Sequence, residues 1–364
     1  MRIEGYSLLR DSTDRTANSL LSPQIPLGSV KMPLVVDVHT HVYPKSYMDM
    51  LRSRKSVPYV HDPPASLKSP PRLIILSSDD DSTIPLDERG RPVDSSYWDI
   101  DVKLAFMRRH GINCSVISLA NPWLDFLAPD EAQVWAERIN DDLEAACARV
   151  NHDADPDATL ALHEKETLYA FGTLPLSAPD PTTIVNEIKR LKTLPHLRGV
   201  IMGTSGLGKG LDDRRLDPVW EALQETHSLL FLHPHYGLPE EAFGGPEAIS
   251  RYGHVLPLAL GFPLETTIAV TRMLLAGVFD RFPRLAILLA HSGGTLPFLA
   301  GRIESCILHE RKFIANGGDV QGPQRSVWDI LESNIYLDAV VYGIPGLKAA
   351  VTAAGNTDRL MFGM

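Results

Sequence analysis

Cysteine is scarce in this 364-residue chain: Cys114, Cys147 and Cys306 are the three, widely spaced and odd in number. They form neither a disulfide framework nor a Cys-x-x-Cys metal knuckle, so a reducing, cytoplasmic compartment is expected. Positive charge is in deficit, with 35 Lys and Arg against 45 Asp and Glu and a formal net charge of -10. That balance argues against binding to nucleic acid or anionic membrane through bulk electrostatics and leaves a small molecule as the expected partner. No apolar run approaches the roughly 18 uncharged residues of a membrane span. The stretch from Gly253 to Leu264 is interrupted by prolines and glycine. The first thirty residues carry arginines, but Glu4, Asp11 and Asp14 lie among them and no apolar core follows, which makes a poor signal peptide and a poor transit peptide.

What is present is enough apolar material, 44% of residues, for a sizeable core. After Pro33, short apolar runs of strand character alternate with longer amphipathic stretches. The strands read as Val35 to His41, Cys114 to Ala120, Leu168 to Leu174, Gly199 to Gly203, Leu229 to His233, Ala286 to His291, Ile335 to Ala339 and Leu360 to Gly363. Helical stretches include Ile100 to His110, Asp130 to Val150, Thr182 to Leu194, Asp217 to His227, Leu264 to Phe279 and Leu296 to Lys312. Regular alternation implies a parallel sheet, and eight repeats favour a closed (β/α)8 barrel.

Residues 1–32, rich in Ser, Asp, Arg and Thr, read as a flexible extension, with Met32 an alternative start; the barrel domain spans 33–364 and carries a surface insertion at about 151–166.

In such a barrel the active residues sit at the C-terminal ends of the strands. The first strand ends in His39-Thr40-His41, two imidazoles on one side of a strand and therefore a candidate ligand pair. The fifth ends in His233-Pro234-His235 and the sixth in His291-Ser292-Gly293-Gly294, so the histidines gather on one rim. Asn121 follows the second strand, Asp338 ends the seventh, and Arg91 lies in a proline-bounded turn. Gly203 to Gly210 contains most of a phosphate-binding P-loop, but position 210 is glycine where that loop needs a Ser or Thr hydroxyl, so a rim loop is expected instead.

The His-x-His, the strand-five histidine and the block from His291 through Gly294, Thr295 and Leu296 to Phe298 resemble the amidohydrolase-related, metal-dependent decarboxylases, which include the aminocarboxymuconate-semialdehyde and resorcylate decarboxylases. The blocks Ile117 to Glu131, Gly203 to Asp213 and His233 to Pro239 are most similar to the fungal uracil-5-carboxylate (isoorotate) decarboxylases. The resemblance runs from about residue 34 onward and implies a zinc ion held by His39, His41 and His233, with an aspartate after strand eight completing the site. It also implies that Arg91 and Asn121 hold the substrate, that His291 lies beside the metal, and that copies pair as homodimers. No organic cofactor is needed. The family pattern at strand eight is Phe-Gly-x-Asp-x-Pro-Phe, and this sequence ends at Phe362-Gly363-Met364. The expectation is a truncated record rather than a degenerate relative, with Asp338 a conceivable substitute ligand.

Those residues suit non-oxidative decarboxylation of a pyrimidine or aromatic acid, uracil-5-carboxylate to uracil and CO2 first among them. Arg91 can fork onto a carboxylate, and Asn121 offers a donor and an acceptor to a pyrimidine edge. His291 is the remaining acid or base. His235 and His254 are candidates for lining the pocket. Two alternatives are metal-dependent hydrolysis of a cyclic amide or lactone and an impaired paralogue that only binds a ligand.

Overall fold

The computed structural model describes residues 34–151, 166–178, 180–314 and 323–363. The expected extension over residues 1–32 lies outside them, as does nearly all of the insertion at 151–166. Eight parallel strands form one sheet in chain order: β1 (Val36–Val42), β2 (Cys114–Leu119), β3 (Thr167–Gly172), β4 (Leu197–Gly203), β5 (Leu229–His233), β6 (Ile287–Leu289), β7 (Ile335–Asp338) and β8 (Leu360–Met361). The Val38 amide donates to the Phe362 carbonyl at 3.0 Å and joins the last strand segment to the first. This is the (β/α)8 barrel that the alternation predicts.

The strands are buried on both faces, which is why they read as continuous apolar runs. Leu230, Phe231 and Leu232 of β5 are all fully buried, as is Trp220 from the helix Asp217–Glu225 outside it. Covering each such side chain contributes about 1.5–3 kcal/mol before chain entropy is counted. Helix ends follow local chemistry. Asp99 caps the helix Ile100–His110 by accepting from the Asp101 amide, and Gly111 closes it in the left-handed conformation.

Register then carries the barrel into the site. Pairing of His41 with Ser118 across β1 and β2, and of Gly203 with His233 across β4 and β5, sets the groups that surround the histidines.

One expectation is refined and one corrected. The run Val255–Leu275 is helical across its prolines and glycine, and Glu265 and Arg272 within it keep it short of roughly 18 uncharged apolar residues. Pro263 sits in the first turn of the helix Phe262–Leu275, where a missing amide costs little, and Val270, Met273 and Leu274 pack inward on the barrel. Second, Arg91 lies in a three-stranded antiparallel sheet (Tyr59–His61, Arg72–Ile74, Arg91–Pro92) rather than in a plain turn. In the glycine-rich loop, the Gly206 amide donates to Gly203 and those of Gly208 and Gly210 to Ser205, so these amides are turned into the loop and away from any phosphate.

Candidate metal centre

Three imidazoles converge at the C-terminal mouth of the barrel. The ring centroids of His39, His41 and His233 lie 5.0–5.2 Å from one another, and each offers a ligand atom within 4.8 Å of the others. The donor set fits a divalent ion, because in every ring Nδ1 is already engaged. His39 Nδ1 lies 2.6 Å from Asp338 Oδ2, His41 Nδ1 2.9 Å from Ser118 Oγ, and His233 Nδ1 2.8 Å from the Pro234 carbonyl. Carboxylate and carbonyl can only accept, so His39 and His233 carry their proton on Nδ1 and leave Nε2 bare for a metal. Burial first, then the neighbouring histidines, hold His41 and His233 well below the ordinary histidine pKa, with the Lys103 and Arg91 charges adding to the effect on His41. Neutral imidazole is the form that binds metal.

Asp338 is no substitute ligand. It is fully buried, and both oxygens are filled: Oδ2 by His39 and the His291 amide (3.0 Å), Oδ1 by the amides of Ser292 (2.7 Å) and Val340 (3.0 Å). Its role is to orient His39. From β8, Gly363 passes so close that a Cβ there would stand 2.9 Å from His39 Cβ. The aspartate that the resemblance implies after strand eight is not among the residues of this sequence.

The profile of the amidohydrolase family, described as Amidohydrolase, matches residues 36–363. The chain belongs to the amidohydrolase family. Among relatives of this amidohydrolase, 2-amino-3-carboxymuconate-6-semialdehyde decarboxylase of Dictyostelium discoideum is 28% identical over 74% of this chain and 66% of its own length. Gamma-resorcylate decarboxylase of Rhizobium radiobacter is 32% identical over 56% and 58%. The chain thus spans less than two thirds of the length of either relative. Among solved structures, the isoorotate decarboxylase (IDCase) of Metarhizium anisopliae is 50% identical, with a TM-score of 0.80 over 91% of this chain and 84% of that one. A 5-carboxyvanillate decarboxylase from Novosphingobium aromaticivorans, crystallised with manganese, shares the fold at 22% identity and a TM-score of 0.68 over 93% and 88%.

Around the three ligands of this amidohydrolase, the other sequence candidates divide. His291 is brought in, its ring 5.1 Å from His39 and 5.2 Å from His233, and its buried Nδ1 has no hydrogen-bond partner among the described residues. Asn121 is brought in too, but its amide nitrogen donates to the carbonyls of His235 and, at 3.4 Å, Pro234, so only Oδ1, buried and without a partner among the described residues, is left for a ligand. That corrects the two-handed role. Arg91 reaches the same corner through Nη2, 2.9 Å from the Tyr43 hydroxyl and 3.4 Å from the Asn121 carbonyl.

His235 has both ring nitrogens occupied, by Ser205 Oγ at 3.1 Å and Asp125 at 3.2 Å, and so supports the wall rather than contacting a ligand. It fits there only because position 203 is glycine: a Cβ would meet Trp123 at 2.7 Å and His235 at 2.8 Å. His254 is exposed at the start of the Val255 run and is not drawn into the cluster.

Two residues escaped the sequence reading. Phe262 sets its ring 6.4 Å from His291 and 6.5 Å from His233, and Glu265, one turn on, accepts from the amides of His235 (2.9 Å) and Gly237 (2.7 Å) and from the Thr204 hydroxyl. Their only signal was position, at the start of a helix that follows a rim loop.

Acid should unfold the metal-free protein through these histidines. Burial, followed by the His39 charge and opposed by Asp338, brings His291 down to about 4. The unfolded chain takes up that proton near pH 6.5 while the folded chain resists it, so the stabilisation is complete above about pH 6.5 and is lost as pH falls toward about 4. The loss from His291 is of order 3 kcal/mol, and His41 and His233 add in the same direction. Thermal melts of chelator-treated protein between pH 8 and 4 check this; a flat melting temperature would contradict it.

Proposed function

We propose that this amidohydrolase is a metal-dependent, non-oxidative decarboxylase whose substrate is uracil-5-carboxylate, released as uracil and CO2, and that zinc is its metal. The observation that carries the reading is the convergence of three imidazoles, each with Nδ1 already engaged, beside three groups with capacity left: His291 Nδ1, Asn121 Oδ1 and the Nε and Nη1 of Arg91. The 50% identity to IDCase supports the choice of pyrimidine over arene.

His39, His41 and His233 would hold a divalent ion, which would supply Lewis-acid stabilisation of the negative charge that develops on the substrate. The remaining work falls to the chain. Asn121 Oδ1 accepts a ring N–H, which a plain benzoate lacks, and the Arg91 hydrogens take the carboxylate. Phe262 supplies a ring face for stacking. His291 would serve as the acid that returns a proton to the ring carbon. A homodimer in a reducing cytoplasm remains part of the proposal.

The test is incubation of metal-loaded protein with uracil-5-carboxylate, following CO2 and uracil together, with metal content measured by mass spectrometry. Equimolar CO2 and uracil are expected, abolished by chelation and restored by zinc. A ring-opened acid would replace this reading with hydrolysis, and no turnover by a protein holding stoichiometric metal would replace it with ligand binding alone.

A further inference from the structure

Along β1 the side chains at positions 39, 41 and 43 follow the same two-residue period, and the third of them is Tyr43, just past the end of the strand. Tyr43 is fully buried, its ring stacked 5.8 Å from both Tyr47 and Tyr97. Its hydroxyl donates to the carbonyl of Asn121 and accepts from Arg91 Nη2 at 2.9 Å. One phenolic oxygen therefore joins the two residues assigned to the substrate, which come from different elements and otherwise meet only where Arg91 Nη2 lies 3.4 Å from the Asn121 carbonyl.

We propose that Tyr43 is the positioning residue for carboxylate recognition, holding the Arg91 guanidinium against the Asn121 peptide so that its other hydrogens face the substrate's carboxylate. The inference rests on the reading of Arg91 and Asn121 as substrate-binding.

Arg91 needs such an anchor. It is exposed, on a two-residue strand at the edge of the small sheet, and a free arginine side chain loses considerable rotamer entropy when a ligand fixes it. Nη2 is the only one of its nitrogens bonded to a described residue, so Nε and Nη1 remain to donate. The phenol is suited to the task. Its hydroxyl hydrogen goes to the Asn121 carbonyl, and its oxygen lone pair is left for Arg91 Nη2.

The experiment compares the metal-loaded wild type with Tyr43→Phe, Arg91→Ala and the double variant. Phenylalanine keeps the stacked ring and removes only the hydroxyl. Without substrate, phenylglyoxal labelling of Arg91, followed by peptide mass spectrometry, should be several-fold faster in Tyr43→Phe, because the guanidinium is released. Calorimetry should show uracil-5-carboxylate bound roughly tenfold more weakly and uracil little changed, with the double variant no weaker than Arg91→Ala alone. KM should rise with kcat largely kept.

Unchanged Arg91 labelling overturns the proposal whatever the substrate proves to be. Equal weakening of acid and uracil also overturns it, since that marks a collapsed pocket rather than lost carboxylate recognition. Faster labelling in a protein whose wild type releases no CO2 from uracil-5-carboxylate upholds the anchoring of Arg91 and sinks the substrate reading instead.

Discussion

Replacing Asp338 by asparagine is expected to cost the protein roughly 10- to 100-fold in metal affinity, although Asp338 touches no metal. The carboxylate accepts four hydrogen bonds, from His39 Nδ1 and from the amides of His291, Ser292 and Val340. An amide of the same shape keeps one accepting oxygen and turns an NH2 group toward the others. If the oxygen stays with Ser292 and Val340, the NH2 faces His39 and donates to Nδ1. His39 must then carry its proton on Nε2, where the metal should bind.

The same exchange loosens His291. His291 and Ser292 both hold left-handed backbone angles, φ of 55° and 53°, a conformation that costs about 1 kcal/mol or more at each non-glycine residue. The amide bonds to Asp338 help to offset that cost, and the Ser292 hydroxyl adds a bond to the Asp338 carbonyl at 2.6 Å. A competition titration against a chromophoric chelator measures the affinity, and a variant that binds metal as tightly as wild type would remove Asp338 from this role. The carboxylate itself stays ionised: burial raises its pKa, but the His39 hydrogen bond and charge, with the Ser292 amide, outweigh burial and hold it below the usual carboxylate range.

Asp338 also shows where sequence reading stops. Its place at the end of a strand was legible from the apolar run Ile335–Leu337 before it, and the rim position made a ligand role conceivable. Which groups its oxygens accept depends on how β1, β6 and β7 stack, and no local pattern carries that. The histidines were legible for the opposite reason: strand period and barrel topology alone bring the ends of β1, β5 and β6 to one rim. Asn121 was half legible, since its type predicts both a donor and an acceptor, but the approach of the His235 carbonyl from β5 spends the donor. Phe262 sits in an apolar run that reads as core, and the strands of the Arg91 sheet, two or three residues long, are too short to show alternation.

Substituting asparagine for His291 should lower turnover by about 10^2 to 10^4 while leaving metal content close to wild type. The ring stands against two of the three ligands, yet it contributes no atom to their convergent set, so the metal does not depend on it. Its buried Nδ1 has no partner among the described residues, a cost of about 1–3 kcal/mol that a structural histidine would avoid by turning to an acceptor. With a pKa near 4 the ring is neutral at pH 7, and only about one molecule in a thousand holds the extra proton needed to act as an acid. Binding an anionic acid changes that balance, because a carboxylate brought close to the ring favours its protonated form. In the proposed reaction, neutral CO2 departs and leaves its bonding electron pair on the ring carbon, and that carbon then takes the proton His291 would hold. Stopped-flow measurement of proton uptake on mixing with an unreactive carboxylate analogue should show about one proton taken up by the wild type and none by His291→Asn. Uptake that is the same in both proteins, or a loss of turnover below about tenfold, would move the proton-handling group elsewhere in the site.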